Sequence, residues 1–304
     1  MKLLSNLNYI MELKEFIKSK RDTLSSSSIT TYASLLKNLY LKVYPKDTKM
    51  DFKKFNDTTK IIKSIRDLPP NRRKTLLSAL VIITDNKQYR ELMLEDIKEF
   101  NKDIQKQEKT ETQKEAWIEE DELKDICSQY KKHAENIYKK PKKTMSDLQD
   151  IQNYIILCVL SGEYINPRRS KDFVDFKIKN IDKEKDNYLE GNKMIFNSYK
   201  TAKTYGRQEI VIPTKLKSIL KKWIGINETE HLLFDTNGNK LSNVKLNQRL
   251  NKIFGKKASV NQLRHTFLTE KHGDTIAKNS ELEKDMKEMG SSVSMSKTYI
   301  KKED

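Results

Sequence analysis

The sequence predicts a mainly α-helical protein with a small β-sheet in its second half. Three observations lead there. Apolar residues recur at helical spacing through most of the chain. Short alternating runs are confined to residues 176–213. Only 8 Gly and 6 Pro in 304 residues leave too few tight turns for an all-β sandwich or barrel. The length suits two domains of about 100–200 residues each.

Residues 1–101 read as a helical domain. Leu7, Ile10, Met11, Leu13, Phe16 and Ile17 form the first stripe. The serines 25–28 make a turn with good caps for a second helix, which carries Ile29, Tyr32, Leu35, Leu36, Leu39 and Tyr40. Phe52 to Ile65 suggests a short third helix, broken at Pro69-Pro70. Asn71 is expected to cap a fourth, with Leu76, Leu77, Leu80 and Ile83 on one face. Tyr89 to Ile104 makes a fifth. Residues 102–114, almost all Lys, Glu, Gln and Thr, read as an interdomain linker.

Residues 115–304 form the second expected domain. Trp117-Ile118 restarts a core pattern, followed by helices over 119–130 and 145–160 with a basic loop at 139–143 between them. After Pro167 the pattern changes. Asp172 to Phe176 is short and helix-like, Phe176 to Ile178 strand-like. Tyr188-Leu189 and Lys193 to Phe196 flank a Gly191-Asn192 hairpin turn. Glu209 to Pro213 is a further strand, and Tyr199 to Arg207 is the polar connection into it. From Thr214 the chain is helical again, punctuated by glycines.

Sixty basic and 43 acidic residues give a net charge of +17. A chain this basic suits an anionic partner, most often nucleic acid. An AT-rich coding composition explains lysine enrichment equally well, so charge alone decides little. Both expected domains carry the excess, +8 over 1–112 and +9 over 113–304. Cys127 and Cys158 have no metal-ligand spacing and fit a reducing, intracellular compartment. Cys158 lies in an apolar run and reads as core; Cys127 lies among polar residues. No apolar stretch approaches the ~18 residues of a membrane span. The four histidines are scattered, with no zinc-type cluster.

The informative segment is Val260-Asn261-Gln262-Leu263-Arg264-His265-Thr266-Phe267, followed by Met289-Gly290-Ser291-Ser292 and by Tyr299, 35 residues after Arg264. This pairing resembles the second half of a tyrosine recombinase active site. There a His-x-x-Arg on a helix precedes Leu/Met-Gly-His-Ser and then a nucleophilic tyrosine. The resemblance makes Arg264 a phosphate-binding arginine and Tyr299 the nucleophile. Upstream it implies an arginine three residues before an acid. Arg169, followed by Asp172, fits; its rival Arg168 would put Lys171 at the acidic position. The family's lysine lies between two strands, where Lys200 is the first choice and Lys203 the second.

Two positions depart from the family. Asn261 stands where a histidine is usual, and Ser291 where His or Trp is usual. His265 adjoins the arginine, a supporting position. Neither Asn nor Ser titrates near neutral pH, though both donate hydrogen bonds. The resemblance therefore implies charge stabilisation by Arg169 and Arg264, general-acid work by Lys200, and support from Asn261, His265 and Ser291.

The chemistry is coherent without metal, ATP or other cofactor. A phenol is both nucleophile and leaving group, arginine forks clamp non-bridging oxygens, and a lysine protonates the departing 5′-oxygen. The resemblance further implies double-stranded DNA as partner, a homo-tetramer on paired DNA sites, no membrane, and a helical DNA-binding domain closing with the catalytic domain around the duplex. Thr30, Lys37, Arg72, Arg73, Lys74 and Lys203 are candidate phosphate contacts. The pattern also resembles integrases of large DNA viruses and their satellites. Three alternatives stay open: a type IB topoisomerase-like enzyme, a degenerate recombinase that only binds DNA, and a nucleic-acid packaging protein held by charge.

Overall fold

The computed structural model describes residues 2–295, with side chains from Tyr9 onward. The chain divides into two compact units, Met1–Glu108 and Lys109–Asp304. It is 63% helical, with one four-stranded mixed sheet. No described helix is long and apolar enough to cross a membrane.

The first unit contains α1 (Lys2–Lys20), α2 (Ser26–Val43), a 3-10 turn (Phe52–Asn56), α3 (Thr58–Ile65), α4 (Pro70–Thr84) and α5 (Lys87–Gln105). Ser25 caps α2 by accepting the Ser28 N–H at 3.2 Å. Asn71 does not cap α4. Pro69 takes that position in extended conformation and Pro70 opens the helix, because a proline at the first helical position sacrifices no hydrogen bond. The core gathers Leu36, Phe55, Leu77, Leu80 and Tyr89, all fully buried. Tyr89 donates its buried hydroxyl to the Phe55 carbonyl at 2.8 Å, fastening α5 to the 3-10 turn.

The second unit begins with α6 (Glu111–Glu115), α7 (Glu120–Tyr138) and α8 (Met145–Leu160). The expected linker is thus partly helical: α5 runs to Gln105, and α6 is opened by a Thr110/Gln113 capping box. Next come α9 (Ser170–Val174), β1 (Phe176–Lys177), β2 (Asn187–Glu190), β3 (Lys193–Phe196), α10 (Ala202–Tyr205) and β4 (Gln208–Val211). The chain continues with α11 (Thr214–Ile224), α12 (Asn243–Phe254) and α13 (Val260–Glu288). The sheet order is β1-β2-β3-β4, with β1 parallel to β2 and the remaining pairs antiparallel.

Helix α8 is the spine of this unit, buried from Tyr154 through Leu160. Its buried Gln152 is satisfied at both ends, donating to the Phe234 carbonyl at 2.9 Å and accepting the Phe234 N–H at 2.8 Å. Phe173, Phe176 and Phe196 pack edge-on between α9 and the sheet. Cys127 lies in the same core, despite its polar neighbours in sequence, because it falls on the buried face of α7. Trp223 is fully buried and donates to the Leu232 carbonyl at 2.9 Å.

Helix α13 is continuous for 29 residues, about 43 Å at 1.5 Å per residue. Gly273, which the sequence suggested as a punctuation point, lies inside it. One glycine costs a helix only about 1 kcal/mol, too little to break it without a proline. Between Thr266 and Met286 the helix has no buried residue.

Candidate nucleic-acid site

Arg169 and Arg264 are separated widely in sequence but line one open cleft of about 360 Å³. Arg168, Asp172, Tyr199, Thr201, Tyr205 and Gln208 complete most of its wall. Each reaches it for a local reason. Arg169 occupies the N-cap position of α9 in extended conformation, and Asp172 lies in the first turn of that helix. Arg264 projects from the first turns of α13, whose neighbours Leu263 and Thr266 are buried.

The two adjacent arginines behave differently. Arg168 donates Nε to Asp172 Oδ2 at 2.8 Å and Nη1 to Gln208 Oε1 at 2.8 Å. Its guanidinium carbon lies 4.0 Å from the Phe196 ring centroid and 5.1 Å from that of Tyr199. That arginine is fully engaged by protein. Arg169 has no ion-pair partner among the described residues, so its fork is available to a ligand. The acid three residues after Arg169 therefore pairs with the residue before it, an i,i+4 contact.

Asp172 is buried, and its Oδ1 has no hydrogen-bond partner among the described residues. Burial raises its pKa above the ordinary value, while Arg168, Arg169 and Arg264 pull it back down. Burial, with repulsion from Arg169 and Arg168, lowers the pKa of Arg264. Three cations share one anion here, leaving a partly desolvated excess of positive charge. Such a cleft suits an anion with several acceptor oxygens.

The connection from β3 to β4 forms another part of the wall. Lys200 and Lys203 are exposed on it; Thr201 and Tyr205 line the cleft, but the two lysines do not. Asn187, fully buried in β2, holds the start of this connection. Its amide donates to the carbonyls of Asp172 (3.0 Å) and Ser198 (2.8 Å), and its oxygen accepts the N–H groups of Asn197 and Ser198. The sequence reading weighed Arg168 only as the rival of Arg169, and it did not single out Asn187, Tyr205 or Gln208. A visible signal was the Arg168/Asp172 spacing, which suits a helical ion pair.

Asn261 and His265 are exposed on α13 and do not line the cleft. Ser291 follows the far end of α13. Arg264 to Glu288 alone spans about 36 Å of helix axis, so Ser291 is not brought to the arginines. Tyr299 lies outside the described residues. In the first unit Arg73 grips the buried Asp96 through Nε (2.9 Å) and Nη2 (2.6 Å), and donates Nη1 to the Arg66 carbonyl. Lys74 places its ammonium 3.0 Å from the Phe100 ring centroid, and desolvation lowers its pKa. Arg72 is exposed.

A larger cavity of about 620 Å³ lies beside Leu123, Cys127, Tyr154 and Phe267. It holds no arginine, and its lysines, Lys124, Lys131 and Lys271, are matched by Glu120, Glu163 and Glu270. The anion chemistry belongs to the smaller cleft.

Fold and site together define a two-unit, mostly helical protein with an arginine-lined cleft beside a small mixed sheet. No family model matches the sequence, and no curated protein matches it. Among solved structures, one described as the crystal structure of XerA recombinase aligns over 86% of this chain and 83% of that one, at 14% identity and a TM-score of 0.35.

Proposed function

We propose that this protein breaks and rejoins DNA through a tyrosine nucleophile, as a site-specific recombinase or integrase. The observation that carries the reading is the meeting of Arg169 and Arg264, both singled out by sequence pattern, in one cleft. In the reaction the Tyr299 phenolic oxygen bonds to the scissile phosphorus and gives up its proton to solvent. The bond from phosphorus to the 5′-oxygen breaks, and a lysine, Lys200 first and Lys203 second, gives that oxygen a proton. The product is a 3′-phosphotyrosyl link and a free 5′-hydroxyl; reversal with another strand's hydroxyl rejoins the DNA. Arg169 and Arg264 neutralise the charge that develops on the phosphorane. Asn261, His265 and Ser291 lie outside the arginine cleft and are given no phosphate contact there; exchange takes place in a homo-tetramer on two DNA sites. Net positive charge on both parts of the chain suits holding a duplex.

A nicked suicide oligonucleotide tests this reading. Wild-type protein should form a covalent adduct that vanishes in Tyr299→Phe and in Arg264→Ala. Complete absence of adduct with the wild type, across target sequences, would refute strand cleavage. A second reading, a recombinase-like protein that only binds DNA, is favoured by the exposed Asn261 and His265 and by the distance of Ser291 from the cleft. Tight DNA binding without adduct would select it. Relaxation of plasmid lacking a paired site would instead favour topoisomerase-like action.

A further inference from the structure

The β3–β4 connection carries both candidate proton donors, and one side chain outside it, Arg168, holds it at both ends. Arg168 stacks beside Tyr199, where the connection begins, and hydrogen-bonds Gln208, where it ends. Between these anchors the segment folds on itself. The Tyr199 hydroxyl donates to the Gly206 carbonyl at 2.6 Å, and the Tyr205 and Gly206 N–H groups donate back to Thr201 and Ala202. Gly206 turns the chain at a φ of +66°, a conformation that suits glycine. Arg168 itself is fixed by the buried carboxylate of Asp172, at the edge of the same cleft as Arg169 and Arg264.

We infer that Arg168 is a positioning residue: through Gln208 and Tyr199 it sets where the 199–207 connection, with Lys200 and Lys203, stands relative to the phosphate-binding arginines. The inference rests on the proposed strand cleavage for its chemical consequence, but its geometric content stands apart. An arginine suits the task because its planar fork can bond a carboxylate and an amide oxygen in two directions while its face stacks on aromatic rings. A lysine at 168 would keep the charge and lose this geometry.

The test uses the full-length protein. Arg168→Ala strands a buried carboxylate and risks misfolding, so Gln208→Ala is the informative variant, with Gln208→Glu as the conservative control that restores an acceptor. Amide exchange of residues 199–207 should accelerate at least about tenfold in Gln208→Ala and return in Gln208→Glu, because a loop opens locally once its anchor is lost. Unchanged exchange would overturn the inference whatever the catalytic result.

The chemical consequence is read on two substrates. With an ordinary 5′-oxygen leaving group, adduct formation by Gln208→Ala should slow by about tenfold or more, since a positioned acid contributes 10²–10⁴-fold. With a bridging sulfur, which departs without a proton, the variant should match the wild type. An equal defect on both substrates would overturn the proton-donor role. A wild type inactive on both would refute the proposed cleavage, while the exchange measurement would still judge the geometric inference.

Discussion

The ring of Phe267 rests directly on the backbone of Gly162: a Cβ built at that glycine would lie 2.4 Å from Phe267 Cδ2. Gly162 follows the end of α8 and has a φ of +93°. The contact seats the first turns of α13 against the loop leading to Arg168 and Arg169. It is thus a distance constraint between the two halves of the cleft. Gly162→Ala should cost about 1–3 kcal/mol from overpacking alone, read as a lower denaturation midpoint with unchanged m-value. Adduct formation should fall further than stability accounts for, because Arg264 lies three residues from Phe267. A variant with wild-type stability and activity would show that the contact yields freely.

In the first unit, Arg72 and Arg73 should separate cleanly. Arg73→Ala leaves Asp96, 1% exposed, without its partner. Stranding one member of a buried pair typically costs about 3–5 kcal/mol, so this variant should unfold early in urea. Arg72→Ala should leave the urea midpoint unchanged. If Arg72 contacts a phosphate, its loss should lower the salt slope of DNA binding by about one. Equal stability of the two variants would contradict the assignment of Arg73 to the fold.

Element type was legible in the sequence: the α2 stripe of Leu36, Leu39 and Tyr40 is buried as its spacing predicts, whereas β2 and β3 around Gly191 are buried on consecutive residues rather than alternate ones. Shifts came where one residue decides a boundary. Arg169 takes the N-cap of α9, so that helix begins at Ser170 rather than Asp172. In the site, Arg264 was legible as a motif. The clamp of Arg168 and the hub of Asn187 were not, since each depends on partners 40 and up to 15 residues away, brought close only by the sheet. Arg73 looked like a phosphate contact because its partner Asp96 lies on the next helix.

Asp147 gives the second unit an acid-sensitive point. Its pKa is lowered from 3.8 to about 2, first by the Lys140 ammonium at 2.6 Å, then by the Thr144 N–H and hydroxyl. A carboxylate with a depressed folded pKa adds stability above its unfolded value and loses that contribution as pH falls through the folded one. The difference in melting temperature between wild type and Asp147→Asn should therefore be full above pH ~4 and shrink toward zero near pH 2. A pH-independent difference would assign the effect to cap geometry alone.

The arginine cleft should trade stability for function. Arg168, Arg169 and Arg264 share the single carboxylate of Asp172, and Arg169 is a source of the repulsion felt by Arg264. Arg168 is already neutralised by its ion pair, so Arg169 and Arg264 carry the uncompensated charge. Removing Arg169 relieves repulsion without stranding a partner, whereas removing Arg168 strands Asp172. Arg169→Ala should therefore melt at or slightly above the wild-type temperature, and Arg168→Ala well below it. For Arg169→Ala, adduct formation should move against stability. Loss of one preorganised donor to a developing oxyanion costs about 10²–10³-fold, so Arg169→Ala should be a stable, nearly inactive protein. Arg169→Lys should restore charge but only part of the rate, because a point charge does not reproduce a fork. Thermal melting and single-turnover adduct kinetics on the same preparations check both signs. A destabilised Arg169→Ala, or one that cleaves at the wild-type rate, would move the phosphate-binding role from Arg169 to another cation of the cleft.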